Sequence, residues 1–224
     1  MFTGFFHKII YYLRNKYYTY LKEVNTVSYN HIASTINKDD LDFIKTKYDY
    51  YIKNISREDM AISLELSLFL WELLLQKRPK YIMDLGSGFS SYIFSLYKMK
   101  YNKESVIVSI DDDKKWIDKT IDFLRNDNLD ANNVFILLDD YNFKDDSLFD
   151  FILLDLNFVE KRKNYILPCL NKLKKDGLIL FDDVHKIEYG INVINRTKGK
   201  VTKLYNIENY VRDKYNRYSF LAIR

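Results

Sequence analysis

The chain has 224 residues, 47% hydrophobic and 29% charged, a composition that suits a globular domain with a sizeable core. Lys and Arg number 35 against 31 Asp and Glu, and a net charge of +4 is too small to argue for nucleic acid as a partner. The single cysteine, Cys169, excludes an internal disulfide framework and a cysteine metal cluster, and fits a reducing compartment.

Residues 1–55 read as a charged helical extension ahead of a domain over 56–224. The opening MFTGFFHKIIYYLRNKYYTYLKE mixes aromatics with Lys and Arg and lacks the apolar core and cleavage site of a secretory signal. Such a segment can lie on a membrane surface. The preferred reading is a helix that packs its aromatic face on the domain or on a second copy of the chain. Asp39, Asp40 and Asp42 are placed to cap a helix through LDFIKTKYDYYIKNI. His7 and His31 stand in no recognisable pattern.

Ser56 is the predicted N-cap of the next helix, with Asp59 at capping-box spacing and apolar residues recurring through Trp71 and Leu75. Met60, near its start, packs in the core or approaches a ligand. Pro79 in KRPK ends the helix. The run MAISLELSLFLWELLLQ contains Glu65 and Glu72 and is shorter than the about 20 residues a bilayer requires. A cytoplasmic protein without a membrane span is therefore expected.

From Tyr81 the text alternates. Strands are predicted at YIMDL (81–85), SVIVSID (105–111), NVFILLD (133–139), FDFILLDL (149–156) and GLILFDD (177–183). Helices are predicted at 90–100, 113–128, 162–174 and near 186–197. The strands are continuous apolar runs, as in a parallel sheet covered on both faces. KVTKLYNIE (200–208) and NRYSFLAIR (216–224) read as a terminal antiparallel hairpin. The fold class is α/β, a Rossmann-like doubly wound sheet of seven strands with a C-terminal hairpin and an N-terminal helical extension.

Two of only six glycines, Gly86 and Gly88, lie one residue apart where the first of these strands meets its helix. Glycine admits conformations and close approaches that a Cβ forbids, and α/β sheets bind ligands outside their strand carboxyl ends. A dinucleotide fingerprint needs a third glycine, but Ser91 stands there. Asp84 would also oppose a pyrophosphate. A ligand with ammonium and sulfonium groups and no phosphate, such as S-adenosyl-L-methionine, suits the loop better than NAD. A plain tight turn with no ligand is the alternative.

DLGSGFSS resembles the first motif of class I S-adenosylmethionine-dependent methyltransferases, and the resemblance extends over 56–224 toward the O-methyltransferase-like subgroup. It implies cofactor binding by Asp84, Gly86, Ser87 and Gly88, with Asp111 on the ribose hydroxyls and Asp139 or Asp140 near the adenine. It also implies that Asp155 and Asp182, ending later strands, reach the same crevice. Asp155, Asp182 and Asp183 resemble the Asp…Asp-Asn metal triad of catechol-type and caffeoyl-CoA-type enzymes, where a divalent cation such as Mg would lower the acceptor's pKa. The chain departs from that pattern at Asp183, which replaces Asn, and at Phe158, where those enzymes carry a catalytic Lys.

Two catalytic schemes stay open: a metal on the three acids, or His185 as general base oriented by Asp155 and Asp182. Arg162 either belongs to a solvated helix face or binds an anionic substrate group. The expected reaction is methyl transfer to a small-molecule or glycan oxygen. An aminopropyl transfer on the same fold and a non-catalytic scaffold are the rivals. No nucleic-acid partner is expected, because no (Asn/Asp)-Pro-Pro-aromatic motif is present.

Overall fold

A computed structural model describes residues 2–29, 36–129 and 133–224; His31 lies outside the described residues. In chain order the elements are α1 (Phe2–Asn25), β1 (Val27–Ser28), α2 (Lys38–Asn54), α3 (Leu64–Lys77), β2 (Tyr81–Leu85), α4 (Phe89–Tyr101) and β3 (Val106–Asp111). There follow α5 (Lys114–Arg125), β4 (Val134–Leu137), β5 (Phe149–Leu154), α6 (Val159–Arg162), α7 (Ile166–Lys172), β6 (Leu173–Phe181), α8 (Ile187–Thr197), β7 (Lys203–Asn206), α9 (Glu208–Val211) and β8 (Phe220–Ile223).

The strands form one sheet in the order β1-β7-β8-β6-β5-β2-β3-β4. β8 is antiparallel to both β6 and β7, and the other pairs are parallel. The terminal hairpin is therefore as the sequence indicates. The expected seven strands become eight, because Val27 and Ser28 of the N-terminal segment add a short edge strand to β7. From β2 the chain steps one way across the sheet to β3 and β4, then from β5 the other way to β6. Right-handed crossovers in opposite directions put helices on opposite faces. Ile82, Met83, Ile152, Leu153, Ile179 and Leu180 are accordingly sealed on both sides. The reversal lies between β2 and β5, the position at which α/β sheets bind ligands outside the strand carboxyl ends.

Helix starts differ from the sequence reading for tertiary reasons. Ser63, not Ser56, caps α3 by accepting from the Leu66 amide at 3.0 Å. The chain before it turns at Met60 N to Arg57 O (3.0 Å), and Arg217 pins that turn by donating to the carbonyls of Asp59 and Ala61. Met60 is exposed there rather than packed in the core. Asn37 caps α2, while Asp40 is buried and accepts from Tyr101 at 2.6 Å, tying α2 to α4. The helix predicted at 162–174 breaks into α6, a 3-10 turn and α7, with Pro168 in the first turn of α7, where its missing N–H costs nothing.

Residues before 56 share the core of the rest. Ile44, Tyr48 and Tyr51 of α2 and Tyr18 of α1 are buried in it. α1 packs on α8, where a Cβ on Gly190 would stand 2.5 Å from the Tyr18 ring, so that position must be glycine. Away from Tyr18, α1 leaves Ile10, Leu13, Tyr17, Tyr20 and Val24 exposed. Among the described residues no helix is long and apolar enough to cross a membrane.

Candidate active site

Three backbone bonds carry the parallel ladder one residue past the strand ends. Gly86 N donates to Ile110 O at 2.8 Å, Asp155 N to Leu85 O at 2.8 Å, and Asp182 N to Leu154 O at 3.2 Å. Asp111, Gly86, Asp155 and Asp182 therefore stand in one row along the carboxyl edges of β3, β2, β5 and β6. The residues that the sequence singled out on four separate strands are brought together.

The glycine turn is held open by its neighbours. Gly86 has φ +113, and a Cβ there would lie 2.5 Å from the carbonyl oxygen of Asp155. Ser87 donates to Asp111 Oδ2 from both its amide (2.8 Å) and its hydroxyl (3.0 Å). Trp116 of α5 donates from Nε1 to Ser87 O at 2.6 Å. Asp113, not Asp111, caps α5, which leaves Asp111 for the loop. Burial raises the Asp111 carboxyl, against the amides of Asp113 and Ser87.

Asp84 does not reach the surface. It is fully buried, and its oxygens accept from Ser90 (2.9 Å), Ser91 and Ser109 (3.3 Å). It thus ties the first turn of α4 to β2 and β3. Burial pushes its carboxyl up to about 7, although the three serine hydroxyls oppose this. The folded protein then holds a proton that the unfolded chain, with a carboxyl near 3.9, has released. Stability contributed by this site is present below the unfolded value and is lost as pH rises to about 7. Thermal midpoints are expected to fall between about pH 4 and 7, and Asp84→Asn to flatten part of that fall. An unchanged slope in the variant would assign it to other acids.

Asp155, Asp182 and Asp183 bring oxygens within 4.8 Å of one another. Arg162 of α6 enters that group. It is 3% exposed, with Nη2 2.8 Å from Asp155 Oδ1 and Nη1 3.4 Å from Asp183 Oδ2. The sequence reading of Arg162 as a solvated residue or an anion anchor is thereby corrected. Its side chain is enclosed because its charge is needed inward. Burial pushes Asp155 well up, Arg162 pulls it down, and Asp182 and Asp183 raise it further. Asp182 is raised by burial and by Asp183, and it accepts from Ser219 Oγ at 2.6 Å.

His185 follows this group at the rim. Its Nδ1 lies 3.5 Å from Asp183 Oδ1, buried and without a hydrogen-bond partner among the described residues. Burial lowers its pKa, partly offset by Asp183, so the imidazole is neutral and able to accept a proton near pH 7. Asp183 takes a left-handed conformation, φ 61, to turn the chain toward His185. The hydroxyl of Tyr18 donates to Val184 O and braces the turn from α1.

Asp139 stands apart from this group. It is exposed in the 3-10 turn after β4, in the field of Lys161. Asp140 is also exposed there. Beyond the carboxyl ends of β3 and β5, Asp112 accepts from Asn157 Nδ2 and Lys161 Nζ, each at 2.6 Å.

Sequence reasoning missed Tyr51. Its hydroxyl would stand 3.0 Å from a Cβ on Gly88, at the start of α4. It is fully buried, is approached by the backbone amide of Phe89 and by no side-chain partner, and lies in the field of Asp84, Asp111 and Asp155. Only its place among the aromatics of α2 marked it, and those read equally as core.

No protein-family model and no curated protein sequence matches the chain. Solved structures do resemble it. The O-methyltransferase TomG from Streptomyces achromogenes, involved in tomaymycin synthesis and in complex with S-adenosylmethionine, superposes with a TM-score of 0.63 at 14% identity, covering 84% of this chain and 91% of that one. An O-methyltransferase from Bacillus cereus in complex with S-adenosylhomocysteine gives 0.61 at 13% identity, covering 92% and 96%. The S-adenosylhomocysteine-bound Podospora anserina methyltransferase PaMTH1 gives 0.60 at 13%, covering 86% and 98%. The chain thus has the Rossmann-like fold of class I S-adenosylmethionine-dependent O-methyltransferases.

Proposed function

We propose that the protein transfers a methyl group from S-adenosylmethionine to an oxygen of a small molecule or glycan. The observation that carries this reading is the row of Asp111, the Gly86 turn, Asp155 and Asp182 at the topological switch point, with His185 beside it. The chain suits the cofactor on its own geometry. Gly86 and Gly88 let the loop close against Asp155 and Tyr51, and Asp111 ends β3 bonded to that loop through Ser87, the position of a ribose-binding acid. Asp84 anchors the loop from beneath through the hydroxyls of Ser90 and Ser91 rather than acting as a direct ligand.

S-adenosylmethionine supplies a methyl carbon whose bond to sulfur breaks as the acceptor oxygen attacks in line. The chain's part is alignment and removal of one proton. His185 takes that proton. With Nδ1 buried against Asp183, Nε2 is the nitrogen left to accept it, and Asp183 stabilises the resulting imidazolium. Asp155 and Asp182 hold the turn that carries His185. Asp139 borders the adenine end.

Tyr51 stands behind the Gly88 turn from α2 and would position that turn for the cofactor. Its hydroxyl has only the Phe89 amide beside it, so its removal costs little folding stability. Tyr51→Phe is therefore expected to shift the thermal midpoint only slightly while weakening S-adenosylhomocysteine binding roughly tenfold, about 1.4 kcal/mol. Unchanged affinity would remove Tyr51 from the site.

The reaction is tested with methyl-labelled S-adenosylmethionine and a panel of phenols, hydroxylated small molecules and oligosaccharides. Label in an acceptor together with released S-adenosylhomocysteine is the expected result. Aminopropyl transfer from decarboxylated cofactor, without methyl transfer, would move the protein to the rival reaction. Cofactor binding with no turnover on any acceptor would favour a scaffold.

A further inference from the structure

We propose that the guanidinium of Arg162 takes the place, among Asp155, Asp182 and Asp183, that a divalent cation takes in a three-acid metal site, so that the chain works without a metal. Five oxygens surround its three nitrogens. Nε donates to Leu156 O at 3.1 Å, Nη1 to Asp182 O at 3.1 Å and Asp183 Oδ2 at 3.4 Å, and Nη2 to Asn157 O at 2.8 Å, with Asp155 Oδ1 2.8 Å from Nη2. Four of its N–H donors are thus placed in hydrogen bonds, and Asp155 adds an ion pair at Nη2. The ring of Tyr189 lies 5.7 Å from its central carbon. This is a built position rather than a surface side chain folded inward.

The same bonds engage one oxygen of each of the three acids and put a fixed cation among them. Asp155 Oδ1 and Asp183 Oδ2 face the guanidinium, and Asp182 Oδ1 accepts from Ser219 Oγ. Magnesium or calcium would have to come within about 2.0–2.6 Å of these carboxylates. It would then meet the fixed positive charge of Arg162 at a few ångströms in a desolvated site. The chain also has Phe158, not a lysine, three residues after Asp155. An enclosed guanidinium cannot bind two acceptor oxygens as a metal would. Acceptor deprotonation is therefore left to His185, at the rim of the group.

The inference concerns ion binding and stands apart from the transfer reaction proposed above. Chelator-treated protein, alone and with S-adenosylhomocysteine, is titrated with Mn2+ by electron paramagnetic resonance and with Mg2+, Mn2+ and Ca2+ by thermal denaturation. The wild type is expected to show no saturable Mn2+ site and no ion-dependent change in midpoint. A stoichiometric Mn2+ site that Asp182→Asn abolishes would overturn the proposal. Arg162→Met, which leaves three acids without their cation, is expected to lose stability and to regain it with Mn2+. Arg162→Lys, which keeps the charge but not the fork, is expected to stay ion-independent. A folded Arg162→Met protein that binds no Mn2+ would also count against the substitution of one cation for the other. If wild-type protein binds neither ion nor cofactor, the cofactor reading fails and the ion inference survives.

Discussion

Alanine at position 86 is expected to cost about 3 kcal/mol or more of folding stability and to abolish measurable cofactor binding. The new Cβ would lie 2.5 Å from Asp155 O, 2.6 Å from its carbonyl carbon and 2.8 Å from Leu156 N. These are backbone atoms at the end of β5, and they are fixed because Asp155 N donates to Leu85 O at 2.8 Å. Neither side can yield without breaking the ladder between β2 and β5. The φ of +113 adds strain that any L side chain would feel. Gly199 is the control: its φ is +71, but nothing lies within 4 Å of a Cβ there. Gly199→Ala should lose only about 1 kcal/mol and leave cofactor binding intact. Chemical denaturation and calorimetric titration of both variants check this. Equal losses in the two would mean that backbone strain, not the approach of β5 to the loop, makes position 86 glycine.

Loss of the imidazole at His185 should be the larger catalytic effect. His185→Gln is expected to lower turnover by roughly 10²–10⁴-fold, the range for a general base. The thermal midpoint and S-adenosylhomocysteine affinity should not change, because the ring makes no hydrogen bond at Nδ1 and stands at the rim. The pH profile carries a second check. Burial lowers the His185 pKa, with Asp183 opposing. A base must be unprotonated to work, so wild-type kcat/KM should fall only as pH drops below the ordinary histidine value near 6.5, and be flat above it. A variant with full turnover, or a wild-type limb above that value that persists in the variant, would remove His185 from the chemistry.

Asp111, Asp155 and Asp182 were legible in the sequence because each directly ends an apolar run. In a parallel sheet, the end of a run is also the place where ligands bind. The same logic placed Gly86 and His185. What was not legible is carried by contacts between distant parts of the chain. Arg162 looked like one of several charges on a helix, and only Asp155 and Asp183 arriving from two strands make it a buried counter-cation. Tyr18 and Tyr51 belong to a segment without a motif, yet they meet Val184 and the Gly88 turn. Ser56 and Ser63 offer the same local capping chemistry. The choice between them falls to Arg217, which holds the carbonyls of the intervening turn. Asp84 was legible as an acid beside the loop, but the three serines that donate to its oxygens were not, because they come from α4 and β3. Two residues of β1 are too few to show a period, so the eighth strand had no sequence signal.

Every role given to the loop and the strand-end acids depends on the cofactor, which isothermal titration of the wild-type chain with S-adenosylmethionine, S-adenosylhomocysteine and NAD identifies. One site that binds both sulfur ligands, is weakened by Asp111→Asn and ignores NAD is the expected result. Binding of NAD alone would contradict it.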